Sequence, residues 1–144
     1  MREIKKIIIH CSDSGFGDAE LIDKWHKERG WKGIGYHYVI LNGCLAKDAY
    51  RTENDGLIEV GRDIKEIGAH CEGHNEDSIG ICLIGAHHFS AHQLYIALPA
   101  IIRQIIYKYN IPVSEIYGHY EFNPAKTCPN MDMKMVRERL MNLL

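Results

Sequence analysis

The apolar positions of this chain alternate between short continuous runs and helical stripes, a pattern of strands interleaved with helices. Residues 4–10 close on Ile7, Ile8 and Ile9 before His10, which predicts a first strand buried on both faces. A stretch rich in Ser, Gly and Asp, 12–17, breaks it. Asp18 then stands where an N-cap belongs. Leu21, Ile22 and Trp25 form an apolar stripe, and Gly30 is placed for a left-handed helix end. Residues 35–41 predict a second strand, with Tyr36, Tyr38 and Ile40 on one face and His37, Val39 and Leu41 on the other. Polar, turn-rich residues 42–56 predict an extended hairpin loop, ahead of a short strand at 57–60. Residues 79–84 form the clearest interior strand. Ser90 and Gln93 carry a capping-box signature, and Leu94, Leu98, Ile101, Ile102, Ile105 and Ile106 continue a helical stripe to Asn110, with a kink expected at Pro99. A final helix is expected over 132–144. This order of elements predicts an α/β fold, one domain spanning 1–144 with a central mixed β-sheet flanked by helices.

Composition narrows the function classes. At 144 residues and 46% hydrophobic, the chain is long enough to bury a core without disulfide or metal staples. A formal charge of -2 leaves no basic footprint for nucleic acid, and no apolar run approaches the ~18 residues that suggest a membrane span. Three isoleucines before His10 are too few for a secretion signal, so synthesis in the cytoplasm without a signal peptide is expected. The five cysteines contain no CxxC pair, which fits reduced thiols.

Candidate chemistry concentrates at the two ends of the chain. The loop Gly118-His119-Tyr120-Glu121-Phe122-Asn123-Pro124-Ala125-Lys126-Thr127-Cys128-Pro129 brings an imidazole, an ammonium and a thiol together. A catalytic zinc site needs three protein ligands, and His10, at a strand end, is the available third. Each residue also has a plainer reading: His10 as a satisfied core histidine, Cys128 as a small buried hydrophobe, Lys126 as a solvated charge, Tyr36 as a strand former. His70 and His74 are four apart, but Gly68 and Gly73 disfavour the helix that a second metal pair would need. His87 and His88 read as exposed loop residues, Cys82 as core, and Cys11 as pointing away from any metal that His10 holds, because strand neighbours alternate faces.

Seven ordered motifs extend the picture: Ile9-His10-Cys11-Ser12, Trp25-His26-Lys27-Glu28-Arg29-Gly30-Trp31, Gly35-Tyr36-His37-Tyr38, Gly61-Arg62-Asp63, Gly68-Ala69-His70, Asn75 with Ser78-Ile79-Gly80-Ile81-Cys82-Leu83, and the loop 119–129. In this combination the chain resembles the zinc N-acetylmuramoyl-L-alanine amidases of the phage-lysozyme type, whose fold the peptidoglycan recognition proteins share. The resemblance implies one zinc ion per chain held by His10, His119 and Cys128, catalytic roles for Tyr36 and Lys126, and His70 lining the substrate groove. It implies hydrolysis of the bond between N-acetylmuramic acid and L-alanine, with peptidoglycan or muropeptide as the partner; a monomer is the default expectation. A phage or prophage lysin that reaches the cell wall by another route is expected. The alternatives are a non-catalytic peptidoglycan-recognition module, a cytosolic enzyme recycling muropeptides, and a zinc hydrolase of other acyl amides. Residues 42–56 look longer than the family's usual turn, and either border the peptide side of the groove and tune stem-peptide choice or are a spectator insertion.

Overall fold

The computed structural model describes residues 2–144. Five strands, β1 Lys6–Cys11, β2 Tyr38–Cys44, β3 Tyr50–Val60, β4 Ser78–Leu83 and β5 Ile116–Gly118, form one sheet in the order β3-β2-β4-β1-β5. β1 runs parallel to both β4 and β5, β2 runs parallel to β4, and only β3 is antiparallel to its neighbour. The sheet is therefore mixed, as expected. β1 and β4 occupy its interior and are buried almost throughout, so their continuous apolar runs follow from being covered on both faces.

The helices divide between the two faces. Helix α1, Ala19–Glu28, lays Ile22 against Val39, Leu41, Cys82 and Ile84. Helices α2, Leu98–Tyr109, and α3, Met133–Leu143, cover Ile7, Ile9, Ile79, Ile81 and Leu83 on the other. Burying each of these isoleucines stabilises the fold by about 1.5–3 kcal/mol. The predicted caps hold: Asp18 Oδ1 accepts from the Leu21 N–H at 2.8 Å, and Gly30 takes φ +87 after the helix. Asp132 accepts from the amides of Lys134 and Met135 to start α3.

Three expectations change. Residues 42–56 are not an inserted loop. They belong to a long hairpin whose second arm, β3, is the sheet edge, and edge position removes the burial that would have imposed an apolar alternation on Arg51, Glu53 and Asn54. No residue of 42–60 lines the groove formed by the 119–130 loop, Tyr36 and residues 69–75. Second, β2 begins at Tyr38, and Tyr36 precedes it in irregular backbone. Tyr36 packs with Val39 and Leu41, while Tyr38 and Ile40 pack on the opposite face, because the bend at His37 breaks the strand period. Third, Pro99 produces no simple kink. A π-helical turn, His92–Ala97, precedes α2, and the Leu98 N–H reaches back five residues to the Gln93 carbonyl. Pro99, lacking an N–H, follows in the first turn of α2.

The Ser90–Gln93 box is formed in both directions, with bonds of 2.8 and 3.0 Å. The buried Gln93 side chain also donates to the carbonyls of Ile40 and Ile84, which ties this helix start to the sheet.

Candidate metal centre

His10 and His119 are brought together by strand register. Ile9 of β1 lies opposite Gly118 of β5, so the next residue on each parallel strand emerges at the same carboxyl end of the sheet, where α/β proteins place ligands. The two rings stand 4.7 Å apart between centroids. His119 opens a 3-10 turn, His119–Glu121, after which the chain loops back across the end of β1. The Tyr120 N–H donates to the Cys128 carbonyl at 2.9 Å, and the Cys11 N–H donates to Cys128 Sγ at 3.1 Å. One ligand atom each from His10, His119 and Cys128 then lie within 4.8 Å of one another.

This loop is anchored from behind. Glu121 Oε1 accepts from the Gly118 N–H, and its carboxylate meets the Arg137 guanidinium with two bonds of 2.7 and 3.0 Å. The Arg137 Nη1 also donates to the Ile116 carbonyl, so α3 clamps the strand end that carries His119. A Cβ at Gly118 would meet Met133 Cγ at 2.6 Å, so only glycine lets α3 approach this closely.

The remaining expected residues surround the trio. The Tyr36 ring lies 5.0 Å from that of His10, and the Tyr36 hydroxyl stands beside the Cys82 thiol. Lys126 is exposed on the loop, two residues before Cys128. Both face a cavity of about 700 Å³, which Arg29, Trp31, Asn75 and Asn130 also line. His70 lies in the lining too, but is 8% exposed, with its Nδ1 2.9 Å from His10 Nε2 and its Nε2 3.2 Å from Ser78 Oγ. His74 joins no ligand group among the described residues and stacks on Phe122 at 3.9 Å. His87 and His88 are exposed, and Cys82 is wholly buried, as expected.

The chain matches the N-acetylmuramoyl-L-alanine amidase family over residues 1–131. The chain belongs to that family. It is 34% identical over 140 residues to the endolysin of Escherichia phage T7, covering 89% of this chain and 82% of that one. It is 32% identical over 145 residues to the endolysin of Klebsiella phage KP32, covering 92% and 85%. Among solved structures, the N-acetylmuramoyl-L-alanine amidase LysC from Clostridium intestinale URNW superposes with a TM-score of 0.79 at 27% identity, over 97% of this chain and 87% of that one. Drosophila PGRP-LB gives 0.69 at 26%, over 90% and 76%. The protein is thus an amidase that hydrolyses the link between N-acetylmuramic acid and L-alanine in peptidoglycan.

The electrostatics of the amidase site keep its imidazoles neutral. Burial, helped by His70 and His119, holds His10 well below its ordinary range, and burial together with Lys126 lowers His119. Burial pushes the Tyr36 phenol up, so its hydroxyl stays protonated and keeps a proton to donate. The Cys128 thiol is held up by its contact with Cys11 and by burial, while the same contact lowers Cys11. Cys11 is outside the ligand trio, yet does not simply face away. The returning loop sets the two sulfurs side by side, which strand alternation does not report.

Sequence reasoning did not place Arg29, Asn123 and Asn130 in the groove lining, nor find the bond between His10 and His70. The residues of that bond lie 60 apart, with no local pattern linking them.

Proposed function

We propose that the amidase is a zinc enzyme of the endolysin type, one catalytic domain working as a monomer on the cell wall, with His10, His119 and Cys128 holding one zinc ion. The observation that carries this reading is the convergence of those three donors, with His119 and Cys128 lining the groove and His10 buried beside them. The donor set fits the metal: two neutral imidazoles and one thiol, which ionises on coordination, are the zinc ligand types, and three protein ligands leave a fourth position for chemistry. Zinc bound there supplies Lewis acidity and lowers the pKa of a water molecule towards neutrality.

The chain's own residues do the rest. The groove seats the muramoyl–peptide junction with its amide above His10, His119 and Cys128. As water adds to the lactyl carbonyl carbon, negative charge grows on the carbonyl oxygen. The Lys126 ammonium and the protonated Tyr36 hydroxyl stabilise that oxygen. The C–N bond then breaks, and the alanine amine leaves with a proton that originated on the water. The intact donor set, together with Tyr36 and Lys126, favours this over a binding-only module. The identities to two phage endolysins support action on intact wall.

Two outcomes are expected. Elemental analysis finds one zinc per chain, and a chelator removes zinc and activity together, with both restored by added zinc. Activity that survives full chelation sinks the metal reading. Tyr36→Phe and Lys126→Ala each keep zinc and fold while lowering turnover on muropeptide by about 10²–10³-fold, the loss typical of one oxyanion donor. Wild-type turnover in either variant removes that residue from the mechanism. Release of soluble product from whole sacculi separates a lysin from an enzyme confined to small muropeptides.

A further inference from the structure

His70 is expected by resemblance to touch substrate, but its ring nitrogens are already engaged inside the protein. Nδ1 lies 2.9 Å from His10 Nε2, and Nε2 lies 3.2 Å from the hydroxyl of Ser78, which is completely buried in β4. The position of the ring is built with little tolerance. A Cβ at Gly80 would come within 2.7 Å of His70 Cγ and Cδ2, and one at Gly68 within 2.7 Å of Cδ2. Side chains at either position would displace the ring, since real Cβ atoms do not approach that closely. The backbone is pinned as well, because Asn75 Oδ1 accepts from the amides of His70 and Cys71, both at 2.9 Å.

A ring nitrogen that shares a proton with His70 is not free to bind a metal, so His10 Nε2 is excluded and Nδ1 is the nitrogen available to zinc. That choice orders the whole chain of bonds. His10 must carry its proton on Nε2 and donate it to His70 Nδ1. His70 must then carry its own proton on Nε2, directed at Ser78 Oγ. We propose that His70, backed by Ser78, is the positioning residue that fixes the tautomer and orientation of His10 as a metal ligand. The groups that orient a ligating histidine are more often carboxylates or backbone carbonyls. Here a second neutral imidazole does the work, and it places no additional negative charge beside the metal site. This inference rests on the zinc reading of the preceding subsection.

The test uses the full chain and measures zinc affinity by competition with a chromogenic chelator, alongside the d–d spectrum of the cobalt(II)-substituted protein. His70→Ala is expected to weaken zinc binding about 10–100-fold, the usual cost of losing a group that orients a ligand. His70→Gln recovers most of that affinity, because its amide oxygen accepts from His10 Nε2 and its NH₂ reaches Ser78. Ser78→Ala weakens binding in the same direction by less, and decides the matter should His70→Ala not fold. Its hydroxyl is small enough to lose without collapse. Both weakened variants shift the cobalt spectrum, as a re-oriented ligand requires. Wild-type zinc affinity in His70→Ala, with only KM raised, makes His70 a substrate contact and overturns the inference. Equal losses in His70→Ala and His70→Gln reduce its role to packing and also overturn it, as does unchanged affinity in Ser78→Ala. A wild-type chain that binds no zinc overturns both this inference and the zinc reading. A wild-type chain that binds zinc separates the two.

Discussion

Cys128→Ser is expected to lose zinc and amidase activity together while keeping the fold. A neutral hydroxyl replaces the thiolate that contributes negative charge to the ligand set, and zinc prefers the sulfur. The drop in zinc affinity should exceed the ~10–100-fold typical of removing a group that merely orients a ligand, because a ligand itself is gone. Serine preserves the rest of the local structure: its oxygen can accept the Cys11 N–H that now meets Sγ at 3.1 Å, and the Tyr120 N–H still binds the carbonyl of residue 128. Unfolding midpoints measured without zinc should therefore change little. Elemental analysis, turnover and a zinc-free denaturation curve, taken on the same preparation, check all three parts. A serine variant that retains stoichiometric zinc and full turnover would remove Cys128 from the metal centre.

Acid should destabilise the protein well above the range where carboxylates titrate. His26 and His37 are buried, and burial is the largest cause holding each at about 4, against about 6.5 in an unfolded chain. Their bonds explain why a proton is unwelcome. His26 Nδ1 accepts from the Gly35 N–H at 3.0 Å. His37 Nδ1 accepts from the Gly80 N–H at 3.1 Å, its Nε2 faces the Glu66 carbonyl at 2.9 Å, and the Arg2 guanidinium stands 3.1 Å from Nε2. Protonation removes both Nδ1 acceptors and adds a cation beside Arg2.

The sign of the effect follows from these lowered values. Above pH ~6.5 both rings are neutral folded and unfolded, and the full stability is present. Below it the unfolded chain takes up protons that the folded chain refuses, so stability falls until the folded rings titrate near 4. At ~1.4 kcal/mol per pH unit for each ring, the two together cost up to roughly 3 kcal/mol per unit, a large share of a typical ~5–15 kcal/mol. Urea midpoints at pH 8 and 7 should agree, and those at 6 and 5 should fall progressively. A flat profile from pH 7 to 5 would mean that these histidines are protonated in the folded state.

Much of the fold was legible in the sequence where burial and local hydrogen bonding impose a pattern. The runs of β1 and β4 identify interior parallel strands because both faces must be apolar. Asp18, the Ser90–Gln93 pair and Gly30 mark helix ends because the groups they satisfy, or the φ they adopt, lie within a few residues. Of β3 only the end, 57–60, was legible, and residues 50–56 were not, for the converse reason. An edge strand needs no apolar face, so its charged residues look like a loop until β2 is seen beside it.

The site divides along the same line. His10, His119, Cys128, Tyr36 and Lys126 could be singled out from residue types and ordered motifs, and the fold brings four of them to one groove with His10 buried against them. Their partners could not. The register of β1 with β5 sets His10 beside His119, the return of the loop sets Cys128 against Cys11, and the approach of residues 68–75 to β4 sets His70 between His10 and Ser78. The sequence by itself determined the α/β architecture and the residue types available for chemistry, because those depend on local period and composition. Only the tertiary structure decided which face Tyr36 takes and which nitrogen of His10 meets His70. Both depend on contacts between segments tens of residues apart, whose geometry no local pattern encodes.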